Sequence, residues 1–164
     1  MKPLFAVCLA LSAALMAGCG KKESEAPPAA AHKHEHKPPH GGTPVVLGKE
    51  EFHLELVLDP ASGVLQAFVF DGELENFVRI DAASFEIVAK PAGKEETLVF
   101  KPVANGATGE KAGDTALFEA RADWLKTTAA FDAVLRELTV RSHKYQGVAF
   151  NFPKGNDTDE PEKK

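Results

Sequence analysis

From Phe52 the chain alternates. Phe52, Leu54, Leu56 and Leu58 fall on one parity, with His53, Glu55 and Val57 on the other, the period of a strand with one buried face. Asp59-Pro60-Ala61-Ser62-Gly63 then has turn chemistry, with Pro setting φ and Gly free to take positive φ. Val64 to Phe70 is apolar at nearly every position, as a strand covered on both sides would be. The two runs predict a β-hairpin. Two registers satisfy it: one sets Leu54 opposite Phe68 and Leu56 opposite Gln66, and a slip of one residue sets them opposite Val69 and Ala67.

The same pattern predicts further strands. Pro44 to Leu47 reads as a short strand before the hairpin, and Val78 to Ile80, Ser84 to Ala89 and Thr97 to Phe100 as strands after it. Residues 102–115, rich in Gly and Asn, read as a loop without the Gly-Lys-Ser/Thr end that cradles phosphate. Ala116 to Arg121 fits strand or helix, and Asp123 to Lys126 fits one helical turn. Phe131, Val134, Leu135 and Leu138 have helical spacing, whereas Leu138 and Val140 fit a strand. The expectation is a short helix or turn near 128–134, a strand over 135–141, and a final strand carrying Val148, Phe150 and Phe152. Short strands with a turn every ten or so residues predict an all-β domain over 43–153, an antiparallel β-sandwich of immunoglobulin-like type with one or two short helical turns. A small barrel is the alternative.

Composition changes the picture at both ends. Residues 1–18 hold one Lys and an apolar run from Pro3 to Ala17, too short for a comfortable bilayer span and fitting a signal peptide. Beyond Cys19, residues 20–42 are mostly Lys, Glu, Ala, Pro, Gly and His with no apolar periodicity, so 19–42 predict a disordered linker, and 154–164 predict a charged disordered tail. Both cysteines, Cys8 and Cys19, and both methionines fall within the first 19 residues. The folding part therefore has no disulfide, thiolate or thioether site. The formal net charge is -5 with no basic cluster, which argues against nucleic acid as a partner.

The linker carries the candidate chemistry. His32, His34, His36 and His40 lie within nine residues. Neutral imidazole ligates zinc, copper and nickel, and His-dense tracts are a metal-binding composition. The alternation His32-x-His34-x-His36 can place three imidazoles on one side of an extended segment, with Glu35 as an oxygen ligand and His40 closing the site. The plainer reading is a well-hydrated linker. Within the domain, His53 and Glu55 share a strand face and can add ligands, although an exposed polar face is the simpler account. Asp71 to Asn76 reads as an acidic turn, not a calcium loop. No Gly-x-Ser-x-Gly, no HExxH and no cysteine–histidine pair is present, so enzyme activity is not expected.

Two resemblances add to this. Leu15-Met16-Ala17-Gly18-Cys19 resembles the lipobox of bacterial lipoproteins, with Met16 where that family usually has Leu. It implies cleavage before Cys19 and lipidation of its thiol, and Gly20 in place of Asp implies an outer-membrane destination facing the periplasm. His40-Gly41-Gly42, with Phe52 to Val57 and Phe68 to Asp71, resembles a segment near the N-terminus of periplasmic adaptor proteins of heavy-metal efflux pumps. It is similar as well to small His-rich envelope lipoproteins with the same His-Gly-Gly opening. This likeness implies metal handling outside the cytoplasm, with His40 and His53 as the positions to watch. The resulting expectation is a lipid-anchored envelope protein that binds or buffers zinc, copper or nickel, with an efflux component as partner. The alternative is a structural or interaction lipoprotein with no metal role.

Overall fold

The computed structural model describes residues 37–157, so the leader, Cys19, and His32, His34 and His36 lie outside the described residues. Among the described residues the strands are β1 Thr43–Leu47, β2 Phe52–Asp59, β3 Val64–Asp71, β4 Phe85–Lys90, β5 Glu96–Pro102, β6 Leu117–Arg121, β7 Phe131–Val140 and β8 His143–Phe152. Their order is β1-β2-β3-β6-β5-β4-β7-β8, and every pairing is antiparallel. Single 3-10 turns at Pro91–Gly93 and Asp123–Lys126 interrupt them. The domain is thus all-β and antiparallel, as its alternation predicts.

The eight strands form one hydrogen-bonded series with a narrow joint. β5 and β6 share only the pairs Lys101↔Glu119 and Pro102↔Phe118. On either side of that joint, the four-strand halves close over a single core. Phe85 on β4 meets Phe118 on β6 at 5.2 Å between ring centroids, and Phe52 on β2 meets Tyr145 on β8 at 6.4 Å. Leu54, Leu56, Val69 and Ala67 from one half and Ile87, Leu98, Leu135 and Val140 from the other belong to that core. Burial of such side chains, each contributing about 1.5–3 kcal/mol, is the main stabilising term.

The hairpin takes the second of its two registers, Leu54↔Val69 and Leu56↔Ala67, with His53↔Phe70 and Glu55↔Phe68 on the opposite face. Two sequence expectations are corrected. The span 128–134 is not helical, because β7 runs unbroken from Phe131 and pairs with both β4 and β8. Val78 to Ile80 is not a strand: only the isolated bridges Phe70↔Phe77 and Ile80↔Thr115 tie this segment down. It runs antiparallel beside the end of β3, with Asp71 N–H donating to Asn76 C=O at 3.0 Å and Val78 N–H to Val69 C=O at 2.8 Å, and it sends Val78 and Ile80 into the core.

The segment after β8 closes the other edge. Asn156 accepts from Val46 N–H at 2.7 Å through Oδ1 and donates to Val46 C=O at 3.2 Å through Nδ2. Thr43 Oγ1 donates to Pro153 C=O at 3.2 Å. One side-chain amide therefore substitutes for a ninth strand and satisfies backbone groups that β1 would otherwise leave open.

Candidate functional site

Strand β2 is buried on both faces. The inner parity, Leu54 and Leu56, enters the core; the outer parity, His53 and Glu55, is equally inaccessible at 0% exposure. The simpler reading of His53 and Glu55 as an exposed polar face is therefore corrected. Two irregular segments with no periodic signature cover this face. Residues 38–42 lie along β2, and the chain around Phe77 is bridged to the end of β3 with the Phe77 ring stacked on Phe70.

The first segment is fixed to Glu55. Its Oε1 accepts the backbone N–H of His40 at 2.7 Å and of Gly42 at 2.9 Å, and its Oε2 accepts from His40 Nδ1 at 2.7 Å. Three donors on one buried carboxylate meet the requirement that a buried charge be hydrogen-bonded. The local sequence explains the fit. Gly41 N–H donates to Pro38 C=O at 3.0 Å, closing a turn, and Gly41 takes φ 69°, where a side chain is disfavoured. At Gly42 any Cβ would come within 2.5 Å of Leu56 O. His-Gly-Gly is thus the sequence that lets a turn, a close backbone approach and an imidazole meet one carboxylate.

With Glu55 as acceptor, Nδ1 carries the hydrogen and Nε2 carries the lone pair of neutral imidazole. The ring is oriented from its face as well. It stacks on Phe68 with centroids 4.1 Å apart and planes 13° from parallel, yet 37% of the side chain stays accessible. His53 lies on the same face of β2, its Nδ1 3.3 Å from Asp71 C=O. It is inaccessible.

The second segment leaves β3 at Asp71. The Asp71 carboxylate accepts from Glu75 N–H at 3.0 Å, Asn76 N–H at 3.2 Å and Asn76 Nδ2 at 2.7 Å, an acidic turn as its sequence predicts. Burial pushes this carboxyl up, but the hydrogen bonds from Asn76, Glu75 and Glu73 outweigh it and hold the group below the usual carboxylate range. Leu74, at φ 56° and almost fully buried, anchors the loop. The loop delivers Phe77 onto Phe70, with centroids 4.6 Å apart. Phe77 nonetheless remains 55% exposed.

Beside Phe68 and Phe77 a cleft of about 210 Å³ opens against Ala116 and Leu117, rimmed by Arg79, Asn105, Thr108 and Glu110. Arg79 is already engaged: Nη2 donates to Thr108 C=O at 2.6 Å and Nη1 lies 3.5 Å from Asp114 Oδ2. Burial raises the Glu110 carboxyl, and hydrogen bonds from Ala116, Thr108 and Thr115 with the Arg79 charge bring it below its ordinary value. The rim is therefore polar and internally neutralised around an apolar floor.

Of the sequence candidates, the structure brings His40, Glu55 and His53 to one face. It pairs Glu55 with His40, whereas sequence reasoning paired it with His53. His143, the first residue of β8, is exposed and stands apart, its ring 6.1 Å from that of Phe52. Phe68 and Phe77 were not singled out as site residues, because nothing in the alternation marks an aromatic that a distant loop will use. Among the described residues no group of three or more His, Cys, Asp or Glu is placed to hold a metal ion. No family model, curated protein or solved structure matches the chain.

Proposed function

We propose that this protein is a lipid-anchored component of the cell envelope, attached through Cys19, that binds a divalent transition metal. His40 is the pre-oriented ligand and His32, His34 and His36 supply the rest. The observation that carries this reading is the His40–Glu55 pair. A histidine whose Nδ1–H is held by a buried carboxylate at 2.7 Å has its ring orientation and tautomer set, with Nε2 directed to a ligand; metal-binding histidines recurrently have this carboxylate partner. The stacking on Phe68 removes the remaining freedom of the ring. His36 is four residues before His40, so covalent reach alone keeps its Cα within about 14 Å. Buffering of zinc, copper or nickel, or its transfer to an efflux component in the periplasm, is the role that such a site would serve.

We assign His53, inaccessible on the face of β2 next to Glu55, to support of that face.

The experiment is calorimetry of the full chain with zinc, copper(II) and nickel. Binding with proton release is expected, weakening in acid as protons compete for the imidazole nitrogens. Copper(II) should bind tightest, as nitrogen sites generally order these ions. His40→Ala should lose most of the affinity while His53→Gln keeps it. No heat with any of the three metals, and no competition with a weak chelator, would overturn the reading.

A further inference from the structure

We infer that the lateral edge of β5 at Thr97 and Val99 is a self-association surface, which pairs antiparallel with the same edge of a second copy of this chain. The inference goes beyond the metal site and does not depend on it.

The edge is open because the β5–β6 ladder stops short. Val103 N–H donates to Leu117 C=O at 2.9 Å, and Lys101 pairs with Glu119. Backbone groups alternate in direction along a strand, so Val99 and Thr97 aim theirs the same way. The β5–β6 register nevertheless ends at Lys101, although β6 itself continues to Arg121. Between the diverging strands lies a wedge of about 360 Å³, with Val99, Lys101, Glu119 and Arg121 on its walls. The outer edges of the strand series are blunted by contrast. On β1, Val46 gives both backbone groups to Asn156, and Pro44, two residues away, has no N–H to offer. On β8, Asn151 exchanges both backbone bonds with Gly155, at 3.0 and 2.6 Å, and Gly147, at φ 65°, interrupts the extended run. A bare edge is a template for another strand. Val99, 42% exposed, is with Phe77 one of the large hydrophobics left at the described surface.

Charge selects the occupant. Glu95, just before β5, is acidic and Lys101, near its end, is basic, with Thr97 and Val99 between them at alternate positions. Set antiparallel on its own copy with Thr97 opposite Val99, the edge brings Glu95 opposite Lys101 at both ends. Thr97 and Val99 then exchange both backbone bonds across a two-fold axis, an isologous contact that closes on two copies. Their side chains form a β-branched cross-strand pair, which is favourable on a sheet face. Both charges are available: the Glu95 carboxylate lies 3.1 Å from Lys90 Nζ at the surface, and Lys101 is exposed. The wedge gives room for the start of the incoming strand. Its acid, Glu119, already accepts from Gln66 Nε2 at 2.8 Å. Its cations are Lys101 and Arg121, a balance that suits an arriving Glu95.

The test is sedimentation equilibrium of the full chain over a concentration series, with a chelator present so that metal bridging cannot contribute. Circular dichroism melts check that each variant folds. The parent is expected to be a reversible dimer. Glu95→Lys and Lys101→Glu each set like charges opposite one another. Each should raise the dimer dissociation constant about two- to thirtyfold, because two exposed pairs are lost together. Both substitutions in one chain should restore the parent value. An equimolar mixture of the two single variants should associate at concentrations where neither does alone. Val99→Pro, which removes an N–H aimed out of the sheet and so is tolerated at an edge, should abolish the dimer. If Val99→Pro fails to fold, the charge exchange decides alone. A parent that is monomeric at every concentration overturns the inference and leaves the edge to a strand of another protein. A dimer that tolerates Val99→Pro, or one weakened by Glu95→Lys without rescue by Lys101→Glu, puts the contact elsewhere and overturns it as well.

Discussion

Two hairpins of this domain carry polar residues on their outer faces, and those residues end in opposite environments. On β7–β8, Glu137 accepts from Lys144 Nζ at 2.9 Å and Gln146 Nε2 at 2.6 Å, and Asp132 accepts from Asn151 Nδ2 at 2.8 Å, all at the surface. On β2–β3, Glu55 and His53 occupy the same kind of position and are wholly buried. The strands themselves do not make the difference. Residues 38–42 are bonded to the outer face of one hairpin, where Phe77 also stacks on Phe70. A carboxylate on an open face is tied to its neighbours for little gain in stability, because water competes for every bond. Under a cover, the same side chain becomes the anchor for what covers it and for the His40 imidazole.

Breaking the sheet beneath both layers has the largest effect. Leu56 is inaccessible on the inner side of β2, and Leu56→Asp places an unpaired carboxylate in the core. Loss of the cooperative melt is expected by circular dichroism, whose spectrum for the parent should be β-dominated.

Breaking the cover comes next. Glu55→Ala leaves the His40 and Gly42 N–H groups without their acceptor and should cost about 2–4 kcal/mol in chemical denaturation, by the usual worth of bonds to a charged group. Hydrogen exchange should show the His40 and Gly42 amides losing protection while the β4–β7 pairing keeps it.

These two substitutions mark what the sequence made legible. Alternation at Phe52, Leu54 and Leu56 located the inner face, because burial against a core imposes a period of two. It could not show that His53 and Glu55 are buried too, since polar residues on the outer parity look the same whether water or another segment covers them. The register was ambiguous for a related reason: both pairings put an apolar residue opposite Leu54. In β7 the misleading feature was a bulge. The β4–β7 register shifts between Glu86 and Ile87, skipping Arg136. Leu135 and Leu138, three residues apart, therefore both face the core, an interval that alone reads as helix. Of the site, His40 was visible as part of His-Gly-Gly, whereas Phe77 lay in a segment with no pattern.

A smaller effect sharpens the comparison by pH. The Asp71 carboxyl, held below its ordinary value, stabilises the loop above the unfolded pKa of about 3.9, and that contribution is lost as pH falls through its lower folded value. Asp71→Asn should therefore lower the melting temperature at pH 7, and the gap to the parent should close below about pH 4. A gap that persists unchanged into acid would mean the side chain acts by shape alone.

The smallest effect belongs to the open hairpin. Glu137→Ala removes the contacts to Lys144 and Gln146, yet the melt should not move measurably, and less still in high salt. A clear loss there would erase the distinction between the covered and uncovered faces.

In the proposed site Glu55 and Phe68 hold His40 as a metal ligand through Nε2. Long-range proton–nitrogen correlation NMR of the histidine rings, recorded at neutral pH with and without zinc, tests it at the atom concerned. Zinc should move the His40 Nε2 resonance to the position of a metal-bound nitrogen, while Nδ1 stays protonated against Glu55 and the His53 resonances stay in place. A His40 Nε2 resonance unmoved by saturating zinc would contradict it.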